Sequence, residues 1–217
     1  MSDPRAAALL ADPLRRALYD AVAAADEPVS RDEAAAVAGV TANLAGYHLD
    51  QLEQAGLLTA SFARREGRVG PGAGRPAKHY RTTGVEVQLQ VPARDDGFVA
   101  HLLATAVEAD ESGVAQRRLV AAAREAGSAL GKQSEGRGAA GVVAALVARG
   151  YEPREQPDGT VVLRNCPFHH LMPNHVDLVC GMNLALLEAV VRGAKARYTA
   201  QLAPEPGRCC VTLSRQR

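Results

Sequence analysis

Residues 30 to 56 carry two helix starts and two helix stops in an order that leaves the backbone little choice. Ser30-Arg31-Asp32-Glu33 fits a capping box, in which the serine hydroxyl and the glutamate carboxylate satisfy each other's otherwise orphaned amides. The short helix started there runs to about Ala38, and Gly39-Val40 then makes a tight turn. Thr41 caps the next helix, which continues through Ala55 with Gly56 as its stop. Ala45, Leu49 and Leu52 mark its inner face. Upstream, Asp12 caps a helix that Pro13 opens, with Leu14, Leu18 and Val22 recurring on one face until Asp26-Glu27-Pro28 ends it.

Leu57 to Phe62 and Lys78 to Thr83 read as two strands of a hairpin whose tip is the stretch from Gly70 to Pro76. Three helices followed by such a hairpin make a winged helix-turn-helix, assigned to residues 1–87. Near the start of the third helix Ala42, Asn43, Gly46 and Tyr47 face outward, with His48 at the margin, and small or hydrogen-bonding side chains there suit entry into a DNA major groove. The candidate base-reading residues are Thr41, Asn43, Tyr47 and His48; for His48 a place in the core competes with base contact. The third helix carries Asp50 and Glu53 but no Lys or Arg. Phosphate attraction is therefore assigned to Arg15 and Arg16 of the first helix and to the wing cations Arg64, Arg65, Arg68, Arg75 and Lys78.

Hydrophobic residues make up 47% of the 217 positions and charged residues 23%, which excludes a disordered or fibrous chain. Aromatics are only 4%, so the cores are expected to be built from small-residue helix packing. The net charge of +1 argues neither for nor against nucleic acid, and the local basic stretch between Arg64 and Arg81 decides instead. Apolar runs such as Gly138 to Ala148 fall short of the roughly 20 residues a membrane span needs, and a cytoplasmic protein with no membrane partner is expected.

Residues 88–97, with Pro92 and Arg94-Asp95-Asp96, read as a linker to a second domain at 98–217. Helical patterns cover Phe98 to Ala109, Val114 to about Lys132, Gly138 to Arg149 and Val176 to Lys195. Pro157-Asp158-Gly159 turns a hairpin between strands at Glu152 to Gln156 and Thr160 to Arg164, and a last strand lies near Cys210 to Ser214. The expected fold class is mainly α, with an α+β second domain of helices and antiparallel sheet serving as sensor and dimerisation unit.

All four cysteines, Cys166, Cys180, Cys209 and Cys210, fall in that second domain. Soft thiolates on three separate elements of one compact unit suit an iron-sulfur cluster. Zinc is the alternative, although the close C-x2-C pairing usual for structural zinc is absent, and inert buried thiols are the third reading. Cys209 and Cys210 are adjacent, and neighbours in an extended strand point to opposite faces, so His169, three residues after Cys166, competes with Cys210 as a fourth ligand. No nucleophile elbow, phosphate loop or catalytic triad is recognisable, and no enzymatic activity is expected.

Asp12-Pro-Leu-Arg-Arg, Val29-Ser-Arg-Asp-Glu, Tyr47-His-Leu-Asp-Gln-Leu-Glu-Gln-Ala-Gly-Leu-Leu and Gly74-Arg-Pro-Ala-Lys-His-Tyr-Arg resemble the winged-helix bacterial regulators of the arsenical-repressor and DeoR type over residues 5 to 83. The resemblance implies a homodimer on a palindromic operator in double-stranded DNA. Asn165-Cys-Pro-Phe, Leu178-Val-Cys-Gly and Gly207-Arg-Cys-Cys-Val resemble the C-terminal region of the iron-sulfur-binding repressors of the Suf cluster-assembly operon, whose signature cysteines match Cys166, Cys180 and Cys209. The segment from Cys180 to Cys209 looks shorter than in cyanobacterial members. The resemblance implies a DNA-binding repressor whose iron-sulfur cluster couples redox or iron status to operator binding. Two readings compete with it: a winged-helix regulator with zinc or an organic effector among the helices of residues 98–150, and a metal-dependent enzyme or metal carrier.

Overall fold

The computed structural model describes residues 4–63, 76–85, 87, 95–171, 173–205 and 207–216, and the chain divides into two compact units between residues 94 and 95. The wing arginines Arg64, Arg65, Arg68 and Arg75 and residues 88–94 of the expected linker lie outside the described residues.

In the first unit α1 (Pro4–Leu10), α2 (Pro13–Ala24), α3 (Arg31–Ala38) and α4 (Ala42–Gln54) precede β2 (Leu58–Ala63) and β3 (Ala77–Thr82), while β1 (Val29–Ser30) adds a short third strand. The capping logic is realised atom by atom. Asp12 accepts from the Arg15 amide at 2.9 Å, and Ser30 and Glu33 form the reciprocal box. Thr41 accepts from the Leu44 amide at 3.4 Å, and Gly39 takes the left-handed φ of 69° that a side chain would strain. The sheet runs β1-β3-β2, all antiparallel, with Val29 opposite Tyr80 and Leu58 opposite Thr82. Leu18 and Val22 of α2, Ala34 of α3, Leu49 and Leu52 of α4 and Tyr80 of β3 close its core.

The second unit holds α5 (Asp96–Glu108), α6 (Val114–Gln133), α7 (Gly138–Val147), β4 (Pro153–Glu155), β5 (Val161–Leu163), a 3-10 turn at His169–Leu171, α8 (Val176–Gly193), β6 (Tyr198–Leu202) and β7 (Val211–Arg215). Its sheet runs β4-β5-β7-β6, again antiparallel. Asp95 and Asp96, read as linker, instead cap and open α5, because the Asp95 carboxylate accepts the Phe98 amide at 2.9 Å. The helix α1, the strand β1 and the strand β6 are further corrections to the sequence reading.

The helices α6 and α8 meet backbone to backbone. A Cβ added at Gly127 would stand 2.2 Å from the Leu186 carbonyl oxygen, and one at Gly131 would stand 2.2 Å from that of Val190. Glycine is needed there for close approach, which agrees with the small-residue packing expected from the composition. Among the described residues no helix is long and apolar enough to cross a membrane.

Candidate thiol site and nucleic-acid interface

In the second unit the four cysteines come from three places into one core. Cys166 follows β5, Cys180 lies in the second turn of α8, and Cys209 and Cys210 stand just ahead of β7. All four are buried beside Tyr151, Leu163 and Leu187. Their side chains are hydrogen-bonded in sequence: Cys180 with Cys210, Cys210 with Cys209, and Cys209 with Cys166. Strand alternation does not separate Cys209 from Cys210, because both precede β7 at a bend in the chain.

Hydrogen bonds from Cys166 and Cys210, then from the Val211 amide and Asn183, favour the ionised form of the Cys209 thiol and push its pKa down against the opposing effect of burial. Asn183 Nδ2 donates to Cys209 Sγ at 3.2 Å, and the asparagine is itself fixed by Tyr151, whose hydroxyl donates to Asn183 Oδ1 at 2.5 Å. The bond to Cys209 and burial push Cys166 and Cys210 up, so the thiols titrate as one coupled set.

His169 is exposed and reaches the site only through its backbone, which donates to the Cys166 carbonyl at 3.0 Å. His175 is buried elsewhere, with Nδ1 2.7 Å from Glu108 and Nε2 2.7 Å from His101. Among the described residues no three His, Cys, Asp or Glu side chains are arranged to hold a single metal ion. The donor chemistry nevertheless suits a cluster: four soft sulfurs excluded from water, with amide donors at two of them, from Val211 and Asn183 to Cys209 and from Phe168 to Cys166.

In the first unit the start of α4 and the hairpin enclose an open groove of about 540 Å³. Asn43, Gly46 and Tyr47 line it from α4, Arg31 from α3, and Phe62 from β2. Tyr47 is 61% exposed and Phe62 67%, so two large rings stand in solvent at the same groove. Arg31 lies across Gly46, its Cδ 3.5 Å from where a Cβ would be. The Thr41 oxygen is taken up as the helix cap.

His48 does not line the groove. Its ring packs edge-on to Tyr47 at 5.2 Å and lies close enough to Asp12 to help, after the Arg15 backbone bond, in holding that carboxylate low.

The family model for the helix-turn-helix domain matches residues 10–59. That segment is a helix-turn-helix domain, the module of DNA-binding regulators. No curated protein and no solved structure matches the chain.

Within this helix-turn-helix unit the structure revises the role expected of Lys78. Its Nζ is 2.6 Å from Asp50 and 2.5 Å from Glu53, and it sits 5.1 Å from the centre of the Tyr80 ring, whose hydroxyl donates to Asp50 at 2.8 Å. Lys78 is therefore a staple between β3 and α4, already neutralised, and no free phosphate clamp. The same contacts explain why α4 bears acids: Asp50 and Glu53 face the wing strand.

Sequence reasoning missed Arg31 and Phe62. Phe62 shares the alternation phase of Leu58, which is buried, but the strand carries it beyond the edge of the core, where burial ends. No local signal marks that edge.

The staple has a pH signature. Burial would raise the Asp50 pKa, but the bonds from Lys78 and Tyr80 outweigh it and lower the value from 3.8. A lowered carboxylate contributes stability that is present above about pH 4 and lost as pH falls through the depressed value. Lys78→Met should therefore destabilise the first unit by about 1 kcal/mol at pH 7, and by much less at pH 3. Urea midpoints of wild type and variant at the two pH values check this; equal differences at both would contradict it.

Proposed function

We propose that this chain is a transcriptional regulator that grips DNA with its first unit and senses redox or iron status with an iron-sulfur cluster in its second. The single observation that carries the sensing half is the convergence of Cys166, Cys180, Cys209 and Cys210 from three elements into one buried, hydrogen-bonded set. In this reading Cys166, Cys180 and Cys209 hold the cluster. Cys210 is favoured over His169 as the fourth donor, because its thiol is buried with the others while His169 is exposed. Bound there, a cluster would supply one-electron redox chemistry and sensitivity to oxidants.

The chain's own residues do the rest. Asn183 and the Val211 amide donate to the Cys209 sulfur, Tyr151 orients Asn183, and the surrounding aliphatic core excludes water. The cysteines join the loop after β5, the second turn of α8 and the head of β7, so constraining or releasing them changes how firmly these elements are held together. A coupling of about 1 to 3 kcal/mol, of the size usual between linked sites, corresponds to a roughly 5- to 150-fold change in operator affinity.

For DNA, Asn43 and Tyr47 at the groove are assigned to base edges, and Arg31 joins the wing residues Arg64, Arg65, Arg68 and Arg75 on phosphates. A homodimer on a palindromic operator is supported by α5, where Phe98, Val99, Leu102 and Leu103 are each more than half exposed.

Anaerobic purification tests the sensing half. A brown protein containing iron and sulfide is expected, whereas a colourless protein containing zinc overturns the cluster. Mobility shift with DNA from the protein's own promoter region tests the other half, and failure to shift it would favour a metal enzyme or carrier. Asn43→Ala and Tyr47→Ala should each weaken operator binding by about tenfold or more while leaving non-specific binding close to wild type, since one base contact is worth about 1–3 kcal/mol. Uniform loss on every DNA would instead place these residues at the backbone.

A further inference from the structure

Between α6, α8 and the loop after β5 lies a cavity of about 480 Å³, within the size range of small-molecule sites, which is roughly 300–1,000 Å³. Leu119 and Leu130 of α6 and Met182 and Leu186 of α8 form its apolar lining. Tyr151 and Phe168 form one wall, packed edge to face with centroids 6.3 Å apart. Among the described lining residues a single one is charged, the exposed Arg149. An apolar trough with one planar cation is complementary to a ligand with an aliphatic body and one carboxylate.

We propose that this cavity is a binding site for an amphipathic monocarboxylate of the medium-chain fatty acid type, with its chain in the trough alongside the α6–α8 contact, against Tyr151 and Phe168, and its carboxylate on Arg149. The position gives such a ligand consequences. Phe168 donates its amide to the Cys166 sulfur, and Tyr151 holds the asparagine that bonds Cys209, so the wall of the cavity and the supports of two thiols are the same residues. The site does not depend on any metal and stands or falls separately from the cluster.

Titration calorimetry of the full chain with decanoate, decanol and decyltrimethylammonium tests it. Decanoate should bind one per chain and at least tenfold more tightly than decanol, and the cationic amphiphile should not bind. Arg149→Met should bring decanoate down to the level of decanol, and Ala126→Phe, which fills the trough from the exposed side of α6, should abolish binding of both. Unaltered far-UV circular dichroism shows that each variant is folded. The proposal is overturned by no binding to wild type at millimolar decanoate, or by binding that survives Ala126→Phe. It is also overturned if Ala126→Phe dissociates a dimer of a wild type that takes up no decanoate, since a second copy would then be the occupant.

Discussion

On the proposed cluster reading, serine in place of Cys209 is expected to lower the iron and sulfide content of anaerobically purified protein at least tenfold while leaving the chain folded. Cys209 is the centre of the sulfur row, receiving hydrogen bonds from Cys166, Cys210, the Val211 amide and Asn183, with no exposure to solvent. An alkoxide is a far poorer partner for iron than a thiolate, and a serine hydroxyl at pH 7 does not ionise, so the soft anionic ligand is lost. The hydroxyl is close in size and able to accept the same donors, which holds the stability cost to about 1 kcal/mol. Iron and acid-labile sulfide per chain, measured beside a circular dichroism melt, separate loss of loading from loss of fold. Cys166→Ser and Cys180→Ser should behave alike. Wild-type iron content in all three would remove thiolate ligation from consideration.

Gly131→Ala is expected to cost the second unit about 3 kcal/mol or more, a large effect for one methyl group. The new Cβ would stand 2.2 Å from the Val190 carbonyl oxygen and 2.7 Å from the Ala194 amide nitrogen. These are backbone atoms of and just beyond α8, and they cannot swing aside as a side-chain tip does. The helices must separate, and the contacts of Gly127 with Leu186 and of Gly193 with Ser128 are strained along with them. Gly181→Ala is the internal control. It lies on α8 with nothing within 4 Å of the point its methyl group would occupy, so the helix preference for alanine should stabilise by about 0.5–1 kcal/mol. Urea unfolding followed by circular dichroism checks both, and a Gly131→Ala cost no larger than about 1 kcal/mol would mean that the interhelical contact is looser than described.

The first unit was legible wherever a short-range device wrote it. The Ser30–Glu33 box, the Thr41 cap and the left-handed Gly39 involve residues a few positions apart, so their chemistry is complete within the segment. The helix α1 was missed because its seven residues, PRAAALL, are too few for a helical apolar period to show, and β6 because its burial alternates only weakly. Lys78 shows the opposite failure. A lysine in a basic stretch reads as a phosphate clamp, but its partners Asp50 and Glu53 are 28 and 25 positions away, and only the pairing of β3 against α4 brings them together.

The sequence alone determined which residue types enter each unit: capped helices and a hairpin in the first, four soft sulfurs and a stripe of small helix residues in the second. Tertiary structure decided which of them meet. That Cys209 and Cys210 lie together follows from a bend ahead of β7, that Arg31 and Phe62 flank α4 follows from where the core ends, and that α6 needs Gly127 and Gly131 follows from its contact with α8. The physical reason is common to all three. Capping and turn energies act over a few residues of chain, whereas charge neutralisation, thiol contact and backbone approach act over a few ångströms of space, and a linear chain does not state its distances in space until it has folded.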